Sequence, residues 1–409
     1  MVKRISLISR IAAAFMLLLD TYIYLDLRNN FDLSSINFVA LFWLVPAVLL
    51  LYLILLTKIQ SFSSKNPKVQ KQYFNFFGLF VLFYIPKLLF LVFSVMEHIV
   101  TFVAGWFYNE DISLRLMSET GIGISAVLFF LILYGILIGR FHFKVERTNL
   151  FHDDLPEDFD GLKLVHISDL HIGSWVGHKN KLKKAVKRIN EEEPDLILFT
   201  GDLFNNIYQE IEGFEDILKK LQAREGKLAI LGNHDYGDYF QWNSASEKEM
   251  NFNKIKESYR KVDFRLMCNE AVTLTRDHSR IAFVGVENWG LPPFHQYGDL
   301  DLALSQLNGS TFSVLLSHDP SHWREKVLGR DDIQLTLSGH THGMQFGIYT
   351  RNMKWSPSKL KYKEWGGLYR QGNQFLYVNK GLGYIGFPGR IGIRPEISVL
   401  TLKHKKGPE

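Results

Sequence analysis

A chain of 409 residues with a formal net charge of +5 is longer than one ordinary domain, so two units are the first expectation. The charge is modest and no long Lys/Arg run appears, which excludes a nucleic-acid track. A single cysteine, Cys268, excludes an intramolecular disulfide framework and reads as a small core residue rather than a catalytic thiol.

The N-terminal third is far more apolar than the rest. Four apolar stretches, at 5–19, 36–56, 74–107 and 121–139, precede an ordinary soluble composition. A spanning helix needs about 20 mostly apolar residues, which the second and fourth match. The first is interrupted by Arg10 and ends at Asp20. With no small-residue cleavage site before the next span, it reads as a retained anchor rather than a signal peptide. The third is longer than one crossing requires and reads either as one tilted helix or as two segments broken at Pro86-Lys87. Lys87 itself reads as a snorkelling side chain.

Lys3, Arg4 and Arg10 lie at the first span, and Lys58, Lys65, Lys68 and Lys71 between the second and third. Acids mark the other two loops: Asp20, Asp26 and Asp32, then Glu97, Glu110, Asp111 and Glu119. Arg140, Lys144 and Arg147 follow the last span. With four spans, the positive-inside rule puts the N-terminus and the C-terminal part in the cytoplasm, anchored in an inner membrane. An odd number of spans inverts that placement.

Residues 1–140 are thus expected as a membrane anchor of about four helices, 141–161 as a charged linker and 162–402 as a soluble domain. An apolar run at 162–168 opens that domain as a strand. A helix follows at 179–192, with Leu182, Ala185, Val186 and Ile189 on one face, then a strand at 196–200. A second helix is expected near 211–221 and a strand at 228–231. Later strands are expected at 281–286, 311–317, 333–338, 376–379 and 397–402. The alternation points to an α/β sheet with parallel pairs.

Five of these strands run directly into metal-type ligands. The clusters are Asp169 with His171, Gly201-Asp202, Gly232-Asn233-His234-Asp235, Ser317-His318-Asp319-Pro320 and Gly339-His340-Thr341-His342-Gly343. Ligand sites in open α/β sheets gather beyond strand C-terminal ends, which suits this placement. One Asp-x-His pair is weak evidence, but five clusters after successive strands are mutually consistent. Asp, Asn and His together suit Mn, Fe or Zn, with Mg also compatible. His166 reads as packed in its strand.

In this order the clusters resemble the calcineurin-like metallophosphoesterase superfamily over roughly 162–402. Within it the chain is similar to a membrane-associated phosphodiesterase branch that includes UDP-diacylglucosamine pyrophosphatases of lipid A synthesis. The resemblance implies an α/β metallophosphoesterase domain, a layered β-sandwich core flanked by helices, behind an α-helical transmembrane region. It implies one metal on Asp169, His171, Asp202 and His342, and a second on Asp202, Asn233, His318 and His340. Two cations about 3.5–4 Å apart lower the pKa of water between them and clamp phosphoryl oxygens. His234 is then expected to face the substrate as a catalytic residue. Asp235 is expected to hold its tautomer, with a turn-capping carboxylate as the alternative.

Where many relatives read Gly-Gly-Gln after the last histidine, this chain has Gly343-Met344-Gln345, and the methionine is expected to narrow the pocket floor. Arg390 and Arg394 are candidates to bind substrate phosphate, with at least one of them structural. The aromatic loop at 288–294 is a candidate cleft rim. The expected activity is hydrolysis of phosphodiester or pyrophosphate bonds in a membrane-associated or nucleotide-linked lipid. The alternatives are a phosphomonoesterase acting on protein or nucleotide, and an inactive membrane-tethered scaffold. Nothing in the sequence sets an oligomeric state.

Overall fold

A computed structural model describes residues 2–31, 33, 35–58, 64–108, 115–307 and 312–405. The chain forms two compact units, parted between Leu137 and Ile138.

The first unit holds four helices: α1 (Val2–Phe31), α2 (Ile36–Lys58), α3 (Pro67–Tyr108) and α4 (Leu116–Leu137). Three helices are long and apolar enough to cross a membrane among the described residues: Ile36–Lys58, Pro67–Phe107 and Leu116–Phe141. They expose Leu41, Leu51, Phe102 and Phe130, as lipid-facing surfaces do. The third stretch is one continuous helix that carries Pro86 inside it rather than breaking there.

Helix α1 differs from the expectation. Asp20 and Asp26 were expected as loop acids, yet both lie within α1 and are buried. Asp20 accepts a hydrogen bond from the Tyr84 hydroxyl at 2.6 Å and forms an ion pair with Lys87. Lys87 therefore does not snorkel; an apolar surrounding makes a charged partner worth more than distant water. Asp26 pairs with His98 at 2.8 Å, and Glu97 accepts the Ser118 amide at 2.8 Å in the first turn of α4. Asp32, Glu110 and Asp111 lie outside the described residues.

Breaking a buried pair leaves one charge uncompensated, at a cost of about 3–5 kcal/mol. Lys87→Met is expected to lower the thermal midpoint of the detergent-solubilised protein. Adding Asp20→Asn to it should restore most of the loss, since the stranded charge is then gone.

The second unit begins with β1 (Lys144–His152) and β2 (Lys163–Ile167), then α5 (Lys179–Asn190), β3 (Leu196–Phe199), α6 (Glu215–Leu218) and β4 (Gly226–Ala229). Next come α7 (Ala245–Lys261), β5 (Arg265–Leu266), β6 (Glu270–Arg276), β7 (Ser279–Gly285), α8 (Leu300–Leu304) and β8 (Phe312–Leu316). The last elements are β9 (Leu335–Ser338), the hairpin β10 (Ile348–Tyr349) and β11 (Lys354–Trp355), then β12 (Gly367–Gln371), β13 (Gln374–Val378) and β14 (Glu396–His404).

Two mixed six-stranded sheets result, ordered β1-β14-β2-β3-β4-β5 and β12-β13-β9-β8-β7-β6. Their facing sides interdigitate through Leu164, Leu198 and Leu400 from one sheet and Phe283, Val314 and Leu337 from the other. The outer face of the first sheet is covered through Leu182, Val186 and Tyr259, and that of the second through Leu300, Trp323 and Val327. This is a β-sandwich flanked by helices, as expected.

The expected linker at 141–161 contains β1, which pairs in parallel with β14 from Lys144↔Glu396 to His152↔His404. The helix expected near 211–221 shrinks to the single turn of α6. Residue 311, the first of one expected strand, lies outside the described residues. Cys268 is half-buried against the helix-side core, and burial pushes its thiol up to about 11, which keeps it protonated.

Candidate metal centre

Strands β2, β3 and β4 are parallel neighbours, as are β8 and β9 in the facing sheet. Their C-terminal ends therefore open on one side of the sandwich, and each hands its chain to a tight turn. The turns are strained. Asp169, His171, Asp202, His340 and His342 have φ of 51°, 46°, 59°, 70° and 50°, in the left-handed region that side chains with a Cβ avoid. Strain of this kind persists where surrounding structure over-determines it, commonly at functional sites.

Two groups of ligand atoms result: Asp169, His171 and His342, then Asp202, His318 and His340. In the first, His342 Nε2 lies 3.2 Å from Asp169 Oδ1 and 3.1 Å from His171 Nε2. In the second, His318 Nε2 lies 3.2 Å from Asp202 Oδ2 and 3.3 Å from His340 Nδ1. Asn233 joins the second group, its Oδ1 2.8 Å from His340 Nδ1 and 3.1 Å from His318 Nε2. Asp202 lies between the groups, with Oδ2 also 3.6 Å from His171 Nε2. All seven expected ligand residues are thus brought together.

The donor set fits cations. His318 Nδ1 is 2.6 Å from the Thr200 carbonyl, which only accepts, so that nitrogen carries the proton. In the neutral ring Nε2 is then a lone pair facing the oxygens of Asp202 and Asn233. Such an arrangement demands a positive charge at its centre, either a second proton or a metal ion. Without a metal, burial opposes a charged His318, but the Asp202 carboxylate overcomes it and pushes the imidazole up to about 10. Burial instead holds His171 well down and His340 at about 4, leaving both as neutral ligand-type imidazoles.

His234 is half-buried beside these groups. Its backbone amide donates to Asp202 Oδ1 at 2.9 Å, and its Nδ1 sits 2.8 Å from the Asn205 carbonyl. Nδ1 must therefore carry the proton, which leaves Nε2 available. Asp235 does not hold this tautomer. Its carboxylate accepts the amides of Gly232 at 2.9 Å, Asp202 at 3.0 Å and Phe204 at 3.1 Å, and the Tyr259 hydroxyl at 2.8 Å. Burial pushes Asp235 up to about 7, helped by the Asp202 charge and opposed by those donors. It ties the turns after β3 and β4 together, as the capping alternative describes. Asp235→Ala would strand several buried donors at about 1–3 kcal/mol each. The variant should unfold at a distinctly lower temperature than the parent, which a thermal melt reads.

Both arginines also differ from the expectation. Arg390 is buried and donates to the carbonyls of Gly383 and Lys380 at 2.6–2.9 Å, with Nη2 3.1 Å from His342 Nδ1. Arg394 donates to the carbonyls of His142 and Phe143 at 2.9 and 3.0 Å and is not gathered with the site. In Arg390 backbone carbonyls have taken all three nitrogens that a phosphate would need, and in Arg394 two of the three. Met344 is 60% exposed. His166 is buried with Nε2 2.9 Å from Thr200 Oγ1, as expected.

Several residues escaped the sequence reading. Glu210 accepts the amides of Gly173, Asn205, Asn206 and Ile207, and so shapes the loop whose Asn205 carbonyl orients His234. The Tyr362 hydroxyl lies 2.8 Å from His340 Nε2, and that of Tyr239 accepts from Asn233 Nδ2 at 2.8 Å. The Phe294 ring stands edge-on to His340 at 4.8 Å, putting the 288–294 loop at the rim. No spacing in the sequence marks the tyrosines.

A sandwich whose strand ends gather two such groups defines a metal-dependent hydrolase of phosphoesters. The calcineurin-like phosphoesterase family matches residues 162–344, and the transmembrane domain of the 4TM calcineurin-like phosphoesterases matches residues 3–140. The Bacillus subtilis metallophosphoesterase YkuE is 35% identical over 260 residues, covering 61% of this chain and 82% of that protein. A Danio rerio transmembrane protein with a metallophosphoesterase domain is 31% identical over 287 residues, covering 68% of this chain and 61% of that protein. A Helicobacter pylori metallophosphoesterase is 28% identical over 264 residues, covering 64% of each. The chain belongs to the calcineurin-like metallophosphoesterases and is an integral membrane member of that family.

Proposed function

We propose that the domain at 162–402 hydrolyses phosphodiester or pyrophosphate bonds in a membrane-associated or nucleotide-linked lipid, using two divalent cations. The observation that carries this reading is the position of Asp202, whose carboxylate lies within 3.2 Å of His318 in one ligand group and 3.6 Å of His171 in the other. Asp169, His171, Asp202 and His342 would hold one cation, and Asp202, Asn233, His318 and His340 would hold the other. Mn, Fe or Zn suit this mixture of imidazole, carboxylate and amide best, and Mg is tolerated. When bound, the cations supply positive charge to the phosphoryl oxygens and acidify water at neutral pH.

His234 does the remaining work. With Nδ1 fixed on the Asn205 carbonyl, Nε2 is the atom that would pass a proton to the departing oxygen; burial, opposed by the Asp202 carboxylate, lowers the imidazole's pKa, so a proton taken up there is readily released. Tyr362 and Tyr239 fix the orientations of His340 and Asn233. Tethering through residues 1–140 concentrates the site near lipid-linked substrates. With four crossings, as in the 4TM family that residues 3–140 match, the positive-inside rule would put the domain on the cytoplasmic side of an inner membrane, where a nucleotide-linked lipid is available; three crossings would invert that placement.

The test uses the full-length protein in detergent, stripped by chelation and refilled with Mn, Fe, Zn or Mg in turn. Each form is assayed on a chromogenic diester and on the matching monoester. Metal-dependent turnover that favours the diester supports the reading. A preference for the monoester would replace it with a phosphomonoesterase. A refilled, folded protein that turns over neither compound, nor a lipid pyrophosphate, would replace it with a scaffold.

A further inference from the structure

The segment between His342 and Glu364 has an unusual surface. It exposes Met344, Phe346, Ile348, Met353, Trp355 and Leu360, with Leu360 94% accessible. Between them it carries five basic residues, Arg351, Lys354, Lys359, Lys361 and Lys363, all exposed, and no acid. None of the five forms an ion pair among the described residues. Scattered apolar side chains are ordinary on a protein surface, but six in one short stretch mark an interaction site.

The hairpin geometry sorts this surface. Ile348 pairs directly with Trp355, so both side chains share a face. Phe346, two residues before Ile348, joins them with its ring 6.4 Å from that of Trp355. Tyr349 points the other way, packing on Trp365 and against Lys380. The hairpin therefore has an anchored inner face and an apolar outer face edged with cations.

We propose that this outer face docks on an anionic lipid surface. Aromatic and aliphatic side chains ringed by Lys and Arg are what the bilayer interface accepts: rings at headgroup depth and cations against anionic lipid. A second copy of the chain fits poorly, because a symmetric contact would set this uncompensated positive face against itself. A bilayer is always at hand, since the same chain carries membrane-crossing helices. The patch is also continuous with the metal centre. Met344 follows His342 by two residues, and Tyr362, next to Leu360 and Lys361, touches His340. Docking through this face brings the ligand groups to headgroup level.

The test reads depth rather than turnover, so its outcome is separate from that of the hydrolytic reading. The full-length protein, in a Cys268→Ser background, carries a nitroxide at Leu360→Cys or, as a control, at the exposed Leu302→Cys on α8. Each is placed one molecule per nanodisc, either in phosphatidylcholine alone or with about one-third phosphatidylglycerol. Spin relaxation is measured with oxygen, which concentrates in lipid, and with a water-soluble nickel chelate.

In anionic discs the Leu360 label should gain oxygen collisions and lose nickel collisions, the ratio changing at least about fivefold relative to the control. Arg351→Glu with Lys359→Glu and Lys363→Glu should abolish the change; Lys354 is left alone because it pairs with Tyr349 on the inner face. Equal nickel access at both positions would overturn the proposal. So would shielding of Leu360 from both reagents, which reports a protein contact, or protection that ignores lipid charge.

Discussion

Asp202→Asn is expected to be the most damaging single substitution for activity. Its Oδ2 faces His318 Nε2 at 3.2 Å and His171 Nε2 at 3.6 Å, while Oδ1 accepts the His234 amide at 2.9 Å. Asparagine keeps the size and one acceptor oxygen but removes the charge that serves both ligand groups. Bound metal should fall below that of the parent, and turnover by about a thousandfold or more, since in the proposed two-cation reading both electrostatic clamping and nucleophile generation would depend on this carboxylate. The fold should persist, because the sandwich core lies between the sheets and does not include this side chain. Metal analysis alongside kcat decides the matter. Full metal content with near-normal turnover would mean that Asp202 is not needed to hold the ions.

His234→Ala is expected to behave differently. The imidazole is outside both ligand groups, so the metal content should be unchanged. Loss of a general acid typically costs about 10²–10⁴ in rate. The cost should depend on the leaving group. A nitrophenolate departs without a proton and should conceal most of the defect, whereas an alkoxide leaving group should reveal all of it. Equal losses on both would mean that His234 stabilises phosphoryl charge rather than delivering a proton. Loss of metal in this variant would mean that the residue is a ligand after all.

The grouping of the candidate ligands was legible because each one's identity depends on local features. A buried strand, a tight turn and a metal-type side chain sit within six residues of one another at Asp169, Asp202 and His340, and each can be read along the chain. Roles that depend on distant partners were not legible. Asp235 lies beside His234 in sequence, which suggested a dyad, but its hydrogen bonds go to the turn after β3 and to Tyr259 on α7. The acceptor that orients His234 is a main-chain carbonyl 29 residues upstream, and every residue has one of those. Arg390 looked like a phosphate ligand because an arginine in a glycine-rich loop commonly is one. Its burial against carbonyls follows from the packing of residues 380–383, which composition does not encode.

The same limit governs the helices. Hydropathy sees Asp20 as the end of a span, but its partner Lys87 is 67 residues away. Once that pair exists, α1 continues to Phe31. Helix α7 was missed because it buries few apolar side chains, chiefly Ile255 and Tyr259, within a strongly charged sequence. Strand β1 alternates charge and half-exposed residues at a sheet edge, which reads like a linker until β14 arrives beside it.

That arrangement sets the order in which the domain can be completed during synthesis. β14, the last strand among the described residues, lies between β1 and β2, the first two of the domain. While the ribosome is still translating residues before 396, a vacant slot separates those two strands, and β1 has no neighbour to hydrogen-bond. The membrane helices have long since emerged by then. The nascent chain is therefore moored by its N-terminal helices while its sandwich waits, one strand short, for a closing segment that also carries the buried Glu396 partner of Lys380. A stalled or prematurely terminated chain would expose an unpaired strand edge, a natural handle for quality-control proteases.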